Sequence, residues 1–191
     1  MRISSALAAP LALALGASAA QARLVRPLGR TPRLQPKLEA PRLWVDPREA
    51  FALERPEGER WSFSAGARGP DGEELPLLAL SAETGAQVIV QAAARVPSVR
   101  GLAQALAEKL GDQEGLHIED VERLGARGGE AYGFWFTVAS EARGRVAVVR
   151  AGDHVALMIA SWPLGAPTSV SDDVASMIES LGPVPEPVKG Y

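Results

Sequence analysis

Cysteine is absent from the 191 residues. That excludes disulfide scaffolds, thiolate zinc sites, iron–sulfur clusters and cysteine nucleophiles. Histidine occurs only at positions 117 and 154, which leaves little for imidazole ligation or proton relay. There is no Gly-x-Ser-x-Gly elbow for a serine nucleophile, and the stretch GARGGEAYG lacks the lysine of a phosphate-binding loop. No repeat recurs at periods of ~20–50 residues. What remains is 47% hydrophobic and 23% charged, which suits one globular domain with extensions and excludes wholesale disorder.

Residues 1–22 read MRISSALAAPLALALGASAAQA. Arg2 supplies a positive start, an apolar Leu/Ala stretch follows, and Ala20-Gln21-Ala22 ends it in small side chains. That is the layout of a signal peptide cut after Ala22, directing the chain to a periplasm or beyond. The apolar stretch from Ala6 to Ala20 is 15 residues long and contains Pro10 and Gly16, short of the ~20 a span requires. No later run is long enough either, so no transmembrane span is expected after cleavage. Arginine outnumbers lysine 17 to 3, the coding bias of a GC-rich genome.

Residues 23–42 carry prolines at 27, 32, 36 and 41, with six basic residues against Glu39. Proline removes backbone donors and disfavours helix at the residue before it, so this segment reads as an extended, basic linker. Weak contact with anionic lipid is open to it, each basic group contributing ~1 kcal/mol near such a surface. Residues 43–191 hold 13 basic and 22 acidic residues, a balance that repels phosphates and excludes nucleic acid as a partner. The domain is expected over 43–184, and the Pro-rich 185–191 as an extended tail.

Two segments carry a helical period. From Ser98, as N-cap, Val99, Leu102, Leu106 and Leu110 share a face, and Gly111 closes the end. From Thr168, Val170, Val174, Met177, Ile178 and Leu181 align, with Ser169 and Asp172 resembling a capping box and Gly182-Pro183 as the stop. Strands are expected at 51–54, 61–65, 77–81, 86–93, 116–124, 130–139, 145–151 and 154–162. In AYGFWFTV, Tyr132, Phe134, Phe136 and Val138 alternate with Gly133, Trp135 and Thr137. HVALMIASW is apolar on both faces, so it should be a central strand covered on both sides. Short links at 82–85, 140–144 and 151–153 imply antiparallel pairing. The fold class is α+β: an antiparallel sheet flanked by two helices, with a helix on each face or both on one.

This order and its wording resemble the PsbP-like superfamily, which includes DcrB-like exported bacterial proteins. Three pieces carry the resemblance: FALERPEG (51–58) followed by Trp61 and Phe63; Gly129, Ala131, Tyr132, Phe134 and Phe136; and Ala151-Gly152-Asp153-His154 leading into 155–160. Here Glu59 and Arg60 separate Gly58 from Trp61, spreading out the family's Gly–Trp contact. The match spans roughly 47–182 and rests on packing and turn positions. It implies an α/β/α sandwich and a binding or accessory role without enzymatic chemistry. It supplies no ligand or metal residues.

The residues themselves leave few sites. His117 lies among Asp112, Glu114, Glu119, Asp120 and Glu122, a set that could hold zinc or manganese. Strand alternation, however, puts His117, Glu119 and Val121 on one face and Asp120 and Glu122 on the other, leaving a solvated acidic edge. His154 reads as a turn residue at the sheet's end. No cofactor and no metal is expected. Trp44, beside the linker, and Trp61, after a charged turn, are the expected exposed anchors of a partner surface, since Trp is enriched in hot spots. The reading is an exported, non-enzymatic module engaging an envelope protein or component. Its alternative is a carboxylate- or metal-dependent envelope hydrolase, which needs two acids converging across a cleft.

Overall fold

Leu102, Leu106 and Leu110 recur on one side of α1 (Val99–Gly111), together with Val99 and Ala103, and all five are buried. Burial of each larger side chain stabilises the fold by about 1.5–3 kcal/mol before entropy is counted. The Ser98 hydroxyl accepts from the Gly101 N–H at 2.9 Å, the expected N-cap. Gly111 does not turn the chain out of the helix. Asp112 is the C-cap, and the left-handed residue is Gly115, at φ +82°. In α2 (Thr168–Ser180), Val170, Val174, Met177 and Ile178 are buried. The capping box does not form, because the first turn has no side-chain cap and the Ser169 hydroxyl instead accepts from Arg60 at 2.6 Å.

The computed structural model describes residues 42–57, 60–68, 74–75, 77–93 and 96–186. The leader, the linker up to 41, Gly58 and Glu59 of the first turn, and the tail from 187 lie outside the described residues. The strands are β1 (Leu43–Val45), β2 (Ala52–Glu54), β3 (Ser62–Ser64), β4 (Ala67–Arg68), β5 (Glu74–Leu75), β6 (Leu77–Leu80), β7 (Gln87–Ala93), β8 (Leu116–Ile118), β9 (Glu122–Arg123), β10 (Ala131–Val138), β11 (Ala142–Ala151) and β12 (His154–Pro163). The main sheet runs β3-β6-β7-β12-β11-β10-β8, with β9 also on β10, and every pairing is antiparallel. β1 and β2 form a separate ribbon rather than joining the sheet.

β12 lies in the middle, and its two faces belong to two cores. Val155, Leu157 and Ile159 pack in a cluster with Phe134, Phe136, Val146, Val148 and the apolar stripe of α1. Ala156, Met158, Ala160 and Trp162 pack in the other, with Phe51, Leu53 and the stripe of α2. The two-sided apolar strand is thus central because each face has its own cover. The β11–β12 hairpin turns at Gly152-Asp153, with Gly152 at φ +61°, which only glycine adopts without strain. The β10–β11 link is tighter than the expected 140–144 turn. Ala142 and Gly144 already pair with Val138 and Phe136, so β11 begins at 142. Among the described residues no helix is long and apolar enough to cross a membrane.

Candidate functional site

The expected anchors are not exposed. Trp44 retains 9% of its accessible surface and packs on Phe51, ring centroids 5.7 Å apart. Trp61 retains 7%, and its indole N–H donates to Asp173 Oδ2 at 2.8 Å. Trp44 is drawn in because β1 pairs with β2 over the α2-side core. Trp61 is drawn in because α2 offers its indole a carboxylate, which satisfies the N–H that burial would otherwise orphan. Both rings are therefore core residues that clamp the N-terminal elements to α2.

The least buried tryptophan is Trp135, and the polar chemistry gathers around it. On β10, Trp135 stands opposite Arg145 of β11, and Thr137 opposite Arg143, while Arg143 in turn faces Trp162 of β12. Residues directly opposite share a sheet face, so Trp135, Arg143, Arg145 and Trp162 occupy one face, where the α2-side core runs out. Trp162 meets Trp135 edge-on, with centroids 5.9 Å apart and planes at 82°. The guanidinium carbons of Arg143 and Arg145 lie 4.2 and 4.5 Å from the Trp135 ring centroid. Both arms cross β10 to reach carboxylates at the sheet's edge: Arg143 meets Glu119, in the link between β8 and β9, at 3.6 Å, and Arg145 meets Glu122 of β9 at 2.6 Å.

A bulge brings those two acids together. Ile118 pairs with Phe136 and Glu122 with Gly133, so three residues on the edge oppose two on β10. The extra residue resets the alternation. The expected split of Glu119 from Glu122 therefore does not occur, and Glu119, Asp120 and Glu122 line one hollow of about 560 Å³ with Ile118 and Trp135. His117, opposite Thr137, lies outside that lining. Among the described residues no three Asp, Glu or His side chains are grouped so as to hold one ion. His154 is exposed at the β11–β12 turn, as expected of a turn residue.

The electrostatics of the hollow are uneven. Arg145 is mostly buried, its side chain 17% exposed, and burial is the main reason its pKa falls below the ordinary arginine value; Glu122 works the other way. It stays charged at any physiological pH. Its Nε is buried and makes no hydrogen bond, so the ion pair only partly offsets the cost of desolvation. Glu119 and Glu122 remain about half exposed, and Asp120 is exposed. Neither arginine was singled out by the sequence. The signal lies in ARGRVAVVR, where Arg143 and Arg145 alternate with small residues on the strand that pairs with AYGFWFTV. Only the register shows that they face Trp135.

No protein-family model and no curated protein sequence matches the chain. Solved structures do. The solution structure of cyanobacterial PsbP (CyanoP) from Synechocystis sp. PCC 6803 is similar with a TM-score of 0.52 and 8% identity, covering 74% of this chain and 91% of that one. The Ran-binding protein Mog1p of Saccharomyces cerevisiae gives 0.49 at 14% identity, over 73% and 93% of the two chains. LpqN of Mycobacterium tuberculosis, involved in cell envelope biogenesis, gives 0.45 at 12%, over 71% and 83%. The likeness to the cyanobacterial protein establishes the PsbP-like fold. At that identity it assigns no residue a role.

Proposed function

We propose that the chain is an exported, non-enzymatic binding or accessory module that engages a protein or other component of the cell envelope. Residues 1–22 are its leader, 23–42 a basic linker able to touch anionic membrane, and 43–184 a PsbP-like α/β/α sandwich ending in the tail 185–191. The observation that carries this reading is the Trp135 hollow. A half-buried indole crossed by two arginines, at the open end of a sheet face, combines the residue types that dominate protein interfaces. Its arms are already held by Glu119 and Glu122, so a partner finds them ordered and little entropy is lost on docking. The PsbP-like fold supports the reading through the accessory role that the resemblance implies.

The test is capture from envelope extracts with the tagged chain and with Glu119→Lys, a change at a half-exposed side chain that should leave the melting temperature within about 2 °C. A component retained by the parent chain and lost with the variant supports the reading. Identical captures, empty captures, or turnover of a substrate by the purified chain overturn it.

A further inference from the structure

We infer that the outer edge of β3 takes an extended segment of a protein partner as an added strand, with one acidic side chain of that segment meeting Arg55. This is a second surface, and the inference goes beyond the reading above. The hydrogen-bond phase of the sheet places the open groups. The Ser81 N–H donates to the Ala86 carbonyl at 2.9 Å and closes the β6–β7 hairpin. Bonding groups switch sides at each residue of an antiparallel strand. Ala79 therefore also bonds toward β7, while Leu78 and Leu80 bond toward Ser64 and Ser62 of β3. Phe63, between those two serines, turns its N–H and C=O away from the sheet. β3 ends the sheet and pairs with β6 alone among the described residues.

The two ends of the sheet are guarded differently. The β8–β9 end carries His117, Glu119, Asp120, Glu122 and Arg123, and charge on an edge discourages pairing. β3 reads Ser-Phe-Ser, with neither charge nor proline. The independent observation is Arg55. Its guanidinium carbon lies over the Phe63 ring, 4.6 Å from the centroid. Its Nε is buried without a hydrogen-bond partner, and no carboxylate pairs with it among the described residues. Arg42 and Arg60, by contrast, hold Glu54 and Asp173. A residue set opposite Phe63 puts its side chain on the same sheet face, which is the α2-side face, because Phe63 packs against that core. An aspartate or glutamate at that position supplies the counter-charge that Arg55 lacks. The net negative balance of residues 43–191 favours one such acid over an acidic run. A second copy fits poorly, since β3 against β3 brings no acid to Arg55.

The experiment uses the full chain, as processed by its host, and an eight-residue synthetic peptide of alternating threonine and valine with one central glutamate. Its glutamine version is the comparison. Calorimetry reads affinity, and hydrogen exchange reads the Phe63 amide. The expected result is that the glutamate peptide binds about tenfold tighter than the glutamine peptide and slows exchange at Phe63 several-fold. Arg55→Gln abolishes the preference and Arg55→Lys keeps part of it, with melting curves showing that both fold. Glu119→Lys, at the opposite end of the sheet, leaves it unchanged. No binding, equal binding of the two peptides, a preference that survives Arg55→Gln, or an unprotected Phe63 amide overturns the inference. So does protection of that amide at high protein concentration without peptide, which would give the edge to a second copy. An envelope component captured through Glu119 while both peptides are ignored removes this inference and leaves the binding reading intact.

Discussion

Trp61→Phe separates a core clamp from a surface anchor. The substitution keeps an aromatic ring but deletes the indole N–H that donates to Asp173 at 2.8 Å. Asp173 is 14% exposed and also pairs with Arg60 at 3.4 Å, so the lost hydrogen bond is charge-assisted and largely shielded from water. Such a bond contributes about 1.5–3 kcal/mol, and the smaller ring adds up to about 1 kcal/mol of lost packing. We expect a loss of about 2–3 kcal/mol, read as a fall in melting temperature of roughly 5–10 °C for a domain of this size. Asp173→Ala and the double variant complete the cycle. The Arg60 pair is removed in both Asp173 backgrounds and cancels, leaving a coupling energy of about 1–2 kcal/mol for the indole–carboxylate contact alone. Denaturant unfolding of all four chains, with unchanged m-values, is the assay. Additivity within about 0.5 kcal/mol would refute the reasoning, as would a Trp61→Phe chain as stable as the parent, which is the behaviour of an exposed ring.

Gly144→Val should cost about 2–3 kcal/mol in chemical denaturation, because its Cβ would meet the buried Phe136 ring and the Ala160 carbonyl; the backbone carbonyl cannot move aside. Arg145→Met should change stability by no more than about 1 kcal/mol despite the 2.6 Å ion pair. Relief of the buried, incompletely bonded guanidinium offsets the lost attraction, and Glu122 remains half exposed to water. A loss above about 3 kcal/mol would show that the pair outweighs its desolvation. N-terminal sequencing of the exported chain should begin at Arg23, and bulky residues at Ala20 and Ala22 should leave the leader attached.

The elements that were easiest to read are those in which one periodicity serves one surface. The stripe of α1 and the two-faced β12 could be placed because apolar side chains recurring every 3.6 or 2 residues line up on a surface that must leave water. Caps were less legible. Ser98 behaves as its sequence suggests, but Ser169 does not, because Arg60 from a distant segment competes for its hydroxyl. The site was least legible. Strand alternation separates Glu119 from Glu122, and a one-residue bulge, which leaves no mark in composition, reverses that outcome.

The order of residues by itself determined the two helices, the central strand and the absence of thiol chemistry, since each depends on nearby side chains or on composition alone. Pairing across the chain decided the rest: which tryptophans are buried, which arginines lie over Trp135, and which carboxylates line the hollow beside it. Those outcomes depend on register between strands, and a shift of one residue moves every side chain to the opposite face.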